Sequence, residues 1–257
     1  MTAAQDVDLA RSSERMPGGD VVAAFDFDGT LTRGGSVWQF LGTVCGRDAV
    51  VSAGIALLPK LVRAALFGGK AADEAKEALF VRTLAGRSAG HVTEQAAAFG
   101  VAHYRRRHRT KVRARLDWHL RQGHRVVIVS ASPEAYVSAA AAELAVHGVV
   151  ATRLEVDSDG KLTGRFEGPN CRGAEKLRRL QQWIGTSPDA SPTGDGSHGD
   201  VSHQTHDAAH PYLWAYGNSA GDYEMLEAAD IGVDAGRLGR FGKLRQFRRL
   251  GDVLTSW

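Results

Sequence analysis

Residues 21–32 read VVAAFDFDGTLT, and the rest of the chain is organised around this stretch. The apolar residues 21–25 have strand length and are apolar on both alternating faces, which is typical of a buried parallel strand. Because side chains alternate along a strand, Asp26 and Asp28 share one side while Phe27 packs on the other. Two neighbouring carboxylates repel each other unless a cation lies between them. The stretch therefore favours a cation site at the end of a strand, although Asp and Gly also form ordinary turns.

The composition indicates one substantial core and a smaller appended unit. The chain has 257 residues, of which 43% are hydrophobic, enough to bury such a core. Its formal net charge of +3 favours anionic ligands, but 32 basic residues nearly balance 29 acidic ones, so nucleic acid is not indicated. Cys45 and Cys171 fit no metal spacing, and we expect them to be reduced thiols in a cytoplasmic protein.

The amino-terminal residues and the longest apolar stretch both bear on location. Residues 1–19 carry three acidic residues and no apolar core, which predicts a disordered tail rather than a signal peptide. The nearest approach to a membrane-spanning stretch, residues 50–67, is interrupted by Pro59, Lys60 and Arg63. No uninterrupted apolar stretch in the sequence reaches spanning length.

Residues 33–115 predict a helical unit, because no strand-like alternation interrupts them. Within this unit, residues 50–67 predict an apolar helix that is kinked at Pro59. Residues 88–120 predict one long helix that leads back towards the strands. We interpret residues 33–115 as a helical cap inserted after the first strand.

From residue 125 onward, short apolar strands alternate with helices, which indicates a parallel α/β sheet. The predicted fold class is α/β, with a Rossmann-like three-layer core formed by residues 20–32 and 116–257. Residues 186–211 predict a flexible loop rich in Ser, Pro, Gly, Asp and His. Its four histidines could bind a soft metal, but their irregular spacing favours an incidental polar loop. The predicted core strands are 21–25, 126–129, 213–216 and 231–233, and residues 149–167 form a hairpin or two short strands.

Polar residues follow three of these strands. Asp26 and Asp28 follow the first, Ser130 follows the second, and Asn218 and Asp222 follow a third. The carboxyl ends of parallel strands meet at one edge of a sheet. We therefore expect one site at that edge, since turn composition alone does not explain the convergence.

Four short motifs resemble, in order and spacing, those of the haloacid dehalogenase (HAD) superfamily. They are DFDGT at residues 26–30, Ser130 after an apolar strand, Lys176 within GAEK, and GNSAGD at residues 217–222. The helical stretch between the first two motifs is similar to the small cap of the phosphoserine-phosphatase-like branch, subclass IB. The resemblance covers residues 21–235, apart from the polar loop.

The resemblance implies a Mg²⁺-dependent phosphomonoester hydrolase. Asp26 would attack phosphorus to give an aspartyl-phosphate, and Asp28 would protonate the leaving alkoxide and then activate water. Asp28 also argues against dehalogenase chemistry, because a leaving halide needs no acid. The implied site consists of catalytic Asp26, Asp28, Ser130 and Lys176, phosphate-binding Asp28, Gly29, Ser130, Ala131 and Lys176, and metal ligands Asp26, Asp28, Asn218 and Asp222.

The fourth motif departs from the family pattern, because Asn218 stands where that pattern has Asp. An amide oxygen still ligates Mg²⁺, but one negative charge is lost, and we predict weaker metal binding. This departure also leaves open a catalytically weak regulatory protein that binds phosphorylated ligands.

Three motif residues have plainer interpretations. A lone Lys176 on a charged helix is usually solvated, and Ser130 could merely end a strand. Ser132 is a good helix cap, and we assign it no catalytic role.

The substrate is open between a small phosphorylated metabolite and a lipid phosphate. Residues 32–39 contain no acid to pair with the ammonium of free phosphoserine, so phosphoserine is an alternative. Trp38, Phe40 and residues 50–67 resemble the branch that includes bacterial phosphatidylglycerophosphate phosphatases. Residues 50–67 would suit a lipid surface, but the favoured interpretation is that they form the cap's own core.

Two basic runs remain to be explained. The charges of residues 105–115 fall all round a helix, which favours a solvated helix over a binding stripe. Residues 237–249 could steer anionic substrates or make a peripheral contact with an anionic membrane. Neither run has the aromatic interleaving that stacks bases, and we expect no nucleic-acid partner.

Overall fold

The structure, a computed structural model, describes residues 20–186, 211–236 and 246–254. The predicted tail of residues 1–19 and nearly all of the His-bearing loop lie outside these ranges. So do residues 237–245, the larger part of the second basic run.

A six-stranded parallel sheet forms the centre of the molecule. Its order is β3-β2-β1-β6-β7-β8, and β4 and β5 form a separate antiparallel hairpin. The strands are β1 (Val21–Phe25), β2 (Arg125–Pro133), β3 (Gly148–Thr152), β4 (Leu154–Val156), β5 (Leu162–Phe166), β6 (Tyr212–Gly217), β7 (Ile231–Asp234) and β8 (Arg248–Arg249).

The five residues of β1 are all buried, as their apolar pattern predicts. Phe25 pairs with Ile128 of β2 on one side and with Tyr216 of β6 on the other. The three strands therefore end at one edge of the sheet, which confirms the predicted parallel α/β fold and brings the polar motifs together.

Helices form the whole connection between β1 and β2, which confirms the helical insertion after the first strand. The hairpin β4–β5 packs against the fourth helix, where Gly164 approaches the backbone of Val81 so closely that an added Cβ would lie 2.4 Å from its Cα. The helices are α1 (Val37–Cys45), α2 (Arg47–Ala56), α3 (Leu58–Phe67), α4 (Gly69–Leu84), α5 (Ala89–Arg107), α6 (Thr110–Arg121), α7 (Glu134–Ala142), α8 (Ala174–Thr186), α9 (Tyr223–Glu227) and α10 (Leu250–Leu254).

The kink predicted at Pro59 lies two residues earlier. Helices α2 and α3 are separated at Leu57 and meet at an angle of 72°. Pro59 lies in the first turn of α3, where the missing N–H has no helical partner to lose. Within the described residues, only this bent pair passes a test of length and hydropathy for a membrane span, and no single helix does.

The prediction that residues 50–67 form the core of the cap is wrong for α3. Val50 and Ala53 are buried in α2, but α3 buries no residue. The core of the cap comes instead from α1, α4 and α5, with Phe40, Phe80 and Phe99 in one buried cluster that continues onto the sheet.

The long helix predicted for residues 88–120 is interrupted, because α5 ends at Arg107 and α6 begins at Thr110. Between them His108 bridges to Thr32, and the Arg109 N–H donates to the Leu31 carbonyl at 2.8 Å. This pairing lies between segments far apart in sequence, so helical periodicity alone could not predict it.

The solvated-helix interpretation of residues 105–115 is wrong for two arginines. Arg115 is buried, stacks on Trp118 and Trp214, and donates to the Tyr216 hydroxyl at 2.8 Å. Arg109 donates from Nη1 to the Gly29 carbonyl at 2.6 Å. Both side chains hold the core together.

Candidate active site

Lys176 joins two of the acidic motifs at the end of the sheet. Its Nζ lies 2.8 Å from Asp26 Oδ1 and 2.5 Å from Asp222 Oδ1. The lysine is only 2% exposed, because the first turn of α8 brings it under the ends of β1 and β6. The alternative of a solvated lysine on a charged helix is therefore wrong.

Burial and ion pairing together set the pKa values in this cluster. Burial raises the pKa of Asp26, and so does the nearby charge of Asp222. Lys176 only partly compensates, which leaves that pKa at about 7. Burial also disfavours the charged forms of Lys176 and Asp222, but their ion pair dominates, so the pKa of Lys176 is raised and that of Asp222 is lowered. Two carboxylates thus contact one ammonium, and the nearby charge of Asp28 also acts on Asp26, so a further cation would balance the charge.

The side chain of Asn218 faces three oxygens of the first motif. One terminal atom of its amide lies 3.1 Å from Asp26 Oδ2, 3.0 Å from the Asp28 backbone oxygen and 3.0 Å from Thr30 Oγ1. With the nitrogen inward, the amide donates to these oxygens. With the oxygen inward, that oxygen lies 3.1 Å from Asp26 Oδ2 and 3.0 Å from the Asp28 carbonyl oxygen, which is the spacing of adjacent ligands around an octahedral Mg²⁺, about 3.0 Å for bonds of about 2.1 Å.

The donor set therefore fits Mg²⁺ through two side-chain oxygens and one backbone carbonyl. Among the described residues no group of three His, Cys, Asp or Glu side chains converges on a metal position. Such a site depends on the Asp28 carbonyl and the Asn218 amide.

Gly29 is required for this close approach. Its φ of +84° lies in the left-handed region, and an added Cβ would come within 2.3 Å of Asn218 Nδ2. Only glycine combines that backbone conformation with the space for the amide.

Asp222 is held differently from the other predicted metal ligands. Its Oδ2 accepts hydrogen bonds from the backbone N–H groups of Asn218 and Ser219, each at 3.0 Å, and from Ser219 Oγ at 2.9 Å. Because Oδ1 pairs with Lys176, both oxygens have partners. Asp222 fixes the turn that presents Asn218, and its direct role as a metal ligand stays a prediction.

The Asp28 carboxylate lies at the junction of the core and the cap. Its Oδ2 accepts hydrogen bonds from Ser36 Oγ at 2.7 Å and from Ser132 Oγ at 2.5 Å, and the Tyr136 hydroxyl lies 2.6 Å from Ser36 Oγ. Its Oδ1 is buried and has no hydrogen-bond partner among the described residues. One oxygen is thus fixed by hydroxyls and the other is available for proton transfer.

Ser130 and Ala131 shape the end of β2. Ser130 is buried, and its Oγ accepts the Ser132 N–H at 3.1 Å. The Ala131 carbonyl accepts hydrogen bonds from Thr152 Oγ1 at 2.7 Å and from Lys76 Nζ at 2.5 Å. Their predicted contact with phosphate stays a prediction.

Lys76 is a residue of the cap that sequence reasoning missed. It reaches from α4 to the core, where its Nζ also donates to Asn170 Oδ1 at 2.9 Å. Burial lowers its pKa to about 8, although Asp73 and Asp28 act in the opposite direction. Nothing in the sequence distinguishes this lysine from its neighbours on an Ala-rich helix.

Sequence reasoning also missed the hydroxyl groups around Asp28, which belong to Ser36, Ser132 and Tyr136. The only local signal was the cap pattern of Ser132 and Pro133, which indicated a helix start rather than a contact. Their convergence on Asp28 requires α1 of the cap to dock against the first turn of α7.

Comparison with known proteins agrees with this arrangement. The family model of the haloacid dehalogenase-like hydrolases matches residues 23–227. The protein CicA of Caulobacter vibrioides is 31% identical over 210 residues, which are 82% of this chain and 83% of that protein. A phosphoserine phosphatase of Halobacterium salinarum is 32% identical over 220 residues, which are 83% of this chain and 85% of that enzyme.

The fold also has a close counterpart among solved structures. A protein of unknown function from Bordetella pertussis Tohama I superposes with a TM-score of 0.67 at 21% identity, over 90% of this chain and 98% of that one. At that identity the likeness shows the fold alone, whereas the family match and the two relatives extend over most of the chain. The chain therefore belongs to the haloacid dehalogenase-like hydrolases, as a phosphatase-like enzyme of the phosphoserine-phosphatase-like subfamily.

Proposed function

We propose that this protein is a Mg²⁺-dependent phosphomonoester hydrolase that works through an aspartyl-phosphate on Asp26. The observation that carries the proposal is the pairing of Asp26 with buried Lys176 on one oxygen and its approach to Asn218 on the other. A carboxylate held in this way is oriented for in-line attack on phosphorus.

Asp26 forms a bond to phosphorus while the bond to the alkoxide oxygen breaks. Asp28 donates its proton to that oxygen and so releases the alcohol. It then takes a proton from the water that attacks the aspartyl-phosphate, which releases inorganic phosphate and restores Asp26. The unpaired Oδ1 of Asp28 is the atom that suits this exchange, since Ser36 and Ser132 hold Oδ2.

Mg²⁺ would be held by Asp26, the Asp28 carbonyl and Asn218. Asp222 would fix the turn that presents Asn218. The metal would supply positive charge against the phosphoryl oxygens and the attacking carboxylate. Lys176 contributes the protein's own positive charge at the same place, and Ser130, Ala131 and Gly29 would line the phosphoryl group.

The substrate we propose is a small phosphorylated metabolite or a lipid phosphate such as phosphatidylglycerophosphate. Lys76, which is half-buried at the boundary of cap and core, supports an additional anionic group on the substrate. Phosphoserine is a second candidate, favoured by the name of the Halobacterium relative, although residues 32–39 offer its ammonium no carboxylate.

Phosphate release from a panel of monoesters tests the proposal. The panel contains phosphoserine, sugar phosphates, nucleotides and phosphatidylglycerophosphate, each with and without Mg²⁺, and Asp26→Asn serves as the blank. We expect release from one class only, dependent on Mg²⁺ and absent in the blank.

Equal release by protein and blank across the panel would contradict the proposal. Saturable binding of a phosphorylated compound without turnover, measured by calorimetry, would then support the regulatory alternative. Asn218 is the observation that favours this alternative, because it removes one charge from the metal position.

A further inference from the structure

Helices α2 and α3 expose a large apolar surface on the outside of the cap. We call this surface the α2–α3 apolar face. Its side chains are exposed by 50% or more, an unusual state for large aliphatic and aromatic residues that adjoin one another. It consists of Val51, Ile55, Leu58, Val62, Leu66 and Phe67.

The spacing of these residues gives each of the two helices an apolar stripe. Val51 and Ile55 are one helical turn apart on α2, and Leu58, Val62 and Leu66 follow at intervals of four on α3. The opposite side of α3, with Leu61 and Ala64, is the partly buried side that meets the protein. The apolar stripe of α3 therefore points away from the core, the reverse of a globular amphipathic helix.

Basic side chains outnumber acidic ones in the segment that carries the face, and Arg63 lies at the edge of the α3 stripe. Residues 47–70 contain four basic residues, Arg47, Lys60, Arg63 and Lys70, and one acidic residue, Asp48. Lys60 and Arg63 are exposed on α3 itself, and the 3.4 Å pair of Arg63 with Glu74 is solvent-exposed, so it restrains the arginine weakly. An apolar stripe with a cationic edge is complementary to an anionic bilayer surface.

A second copy of this chain fits the same face less well. In a two-fold dimer the face would meet itself, which would bring the cationic edges of both copies together. The shape also favours a bilayer surface, because each ten-residue helix is about 15 Å long and the two meet at 72°. Neither helix matches the roughly 30 Å of a hydrocarbon core, whereas both can lie along its boundary.

We propose that the α2–α3 apolar face docks the protein on the surface of an anionic lipid bilayer. The apolar side chains enter the boundary between headgroups and acyl chains, and Lys60 and Arg63 contact the headgroup phosphates. Helix α4 packs on α3 and carries Lys76, so docking would bring this helix of the cap towards the lipid surface. The proposal does not depend on the hydrolase function, since bilayer binding requires no catalysis.

Vesicle flotation of the full chain tests this proposal. We compare vesicles of equimolar phosphatidylcholine and phosphatidylglycerol with vesicles of phosphatidylcholine alone. The variant L66S/F67S removes two apolar contacts, and Val156→Ser removes an exposed apolar side chain of β4 as the matched control. We expect the protein to float with the anionic vesicles, the double variant to bind at least about tenfold more weakly, and the control to be unchanged.

A second variant tests the cationic edge. K60Q/R63Q should weaken binding to the anionic vesicles, and added salt should weaken binding of the parent protein but not of this variant. Because these side chains are exposed, the variant is expected to fold, as circular dichroism will check for both double variants.

Three results would overturn the proposal. One is that the protein fails to float with either vesicle, and another is that Val156→Ser loses as much binding as L66S/F67S. The third is a dimer, detected by light scattering, that L66S/F67S converts to a monomer while the parent protein does not bind vesicles. That result would assign the face to a second copy.

Discussion

At the scale of single residues, the predicted capping role of Ser132 is wrong, because the N-cap of α7 is Pro133 without a side-chain cap bond, and the Ser132 hydroxyl fixes Asp28 instead. It donates the shorter of the two hydrogen bonds that fix Asp28 Oδ2. We expect Ser132→Ala to lower kcat about tenfold, the cost of one hydrogen bond to a charged group, with little change in KM. Steady-state phosphate release on the substrate found by the panel measures both constants.

Ser138→Ala is the matched control, because Ser138 lies exposed on the same helix, α7. An equal loss of kcat in both variants, or none in Ser132→Ala, would show that Asp28 is positioned without Ser132.

Asn218 gives the second prediction at this scale. Asn218→Asp restores a negative charge where Asp26 Oδ2 and the Asp28 carbonyl converge, and we expect it to tighten Mg²⁺ binding. Calorimetric titration of Mg²⁺ measures this directly, without reference to turnover. Gln181→Glu adds the same charge at an exposed position of α8 and should leave the affinity unchanged; an unchanged affinity in Asn218→Asp as well would separate Asn218 from the metal.

The motif residues that follow strands could be predicted to converge, because parallel strands present their ends at one edge, whereas Lys176 on α8 could be predicted only from the order of the motifs. Asp26 and Lys176 indeed meet there. Ser36, Tyr136 and Lys76 could not be predicted, since each comes from a helix whose packing against the core is a tertiary property. The distinction lies in whether motif order or helix packing brings the side chain to the site, not in the chemistry of the side chain.

At the scale of secondary structure, the contact of α6 with β6 contains a buried polar cluster. His119 Nε2 lies 2.8 Å from the Tyr216 hydroxyl and its Nδ1 lies 2.7 Å from His124 Nδ1, with Arg115 donating to the same hydroxyl. Burial, reinforced by Arg115 and His124, lowers the pKa of His119 to about 2. The folded protein therefore holds this imidazole neutral.

This cluster predicts how stability depends on pH. In the unfolded chain His119 binds a proton below its usual pKa of 6.5, whereas in the folded chain it does not, so the free energy of unfolding falls as pH drops below about 6.5. The slope for one proton is at most about 1.4 kcal/mol per pH unit. Urea unfolding at several pH values should show a shallower slope for His119→Gln than for the parent.

His91→Gln is the matched control, because His91 is exposed on α5. If His119→Gln keeps the parent slope, the acid sensitivity arises from other groups, and the cluster contributes nothing to it.

The helices show why element boundaries are harder to predict than element types. Residues 88–120 are helical as predicted, but they form two helices, because His108 between the helices pairs with Thr32. Similarly, the apolar pattern of residues 50–67 specified helices but not which side would be buried. Periodicity determines that a face exists, and the packing partner determines whether it is covered.

At the scale of the whole molecule, cap and core share one hydrophobic cluster. Phe40 and Leu79 of the cap belong to the same buried cluster as Phe25 and Ile128 of the sheet. Wide opening of the cap would expose this surface to water. We therefore expect substrate selection to depend on the boundary between cap and core. There Lys76 of the cap donates to the Ala131 carbonyl at the end of β2.

Lys76 supplies the last prediction. If its ammonium holds the cap and the substrate's second anionic group in place, removing its charge should raise KM while kcat changes little. Because its pKa lies at about 8, the charge is present below that pH and lost above it, so the KM of the parent should rise as pH passes through about 8. Lys76→Met, which retains the packing on Phe80 and Phe166, should have a high KM at every pH.

Exposed Lys70 on the same helix provides the control Lys70→Met, which should follow the parent. Steady-state KM measured across this pH range decides the matter. A parent KM that stays flat through pH 8, or a Lys76→Met variant with unchanged KM, would show that the cap selects its substrate by other groups. A rise in the parent and in Lys70→Met that is absent in Lys76→Met would make one cap lysine the link between cap packing and substrate charge.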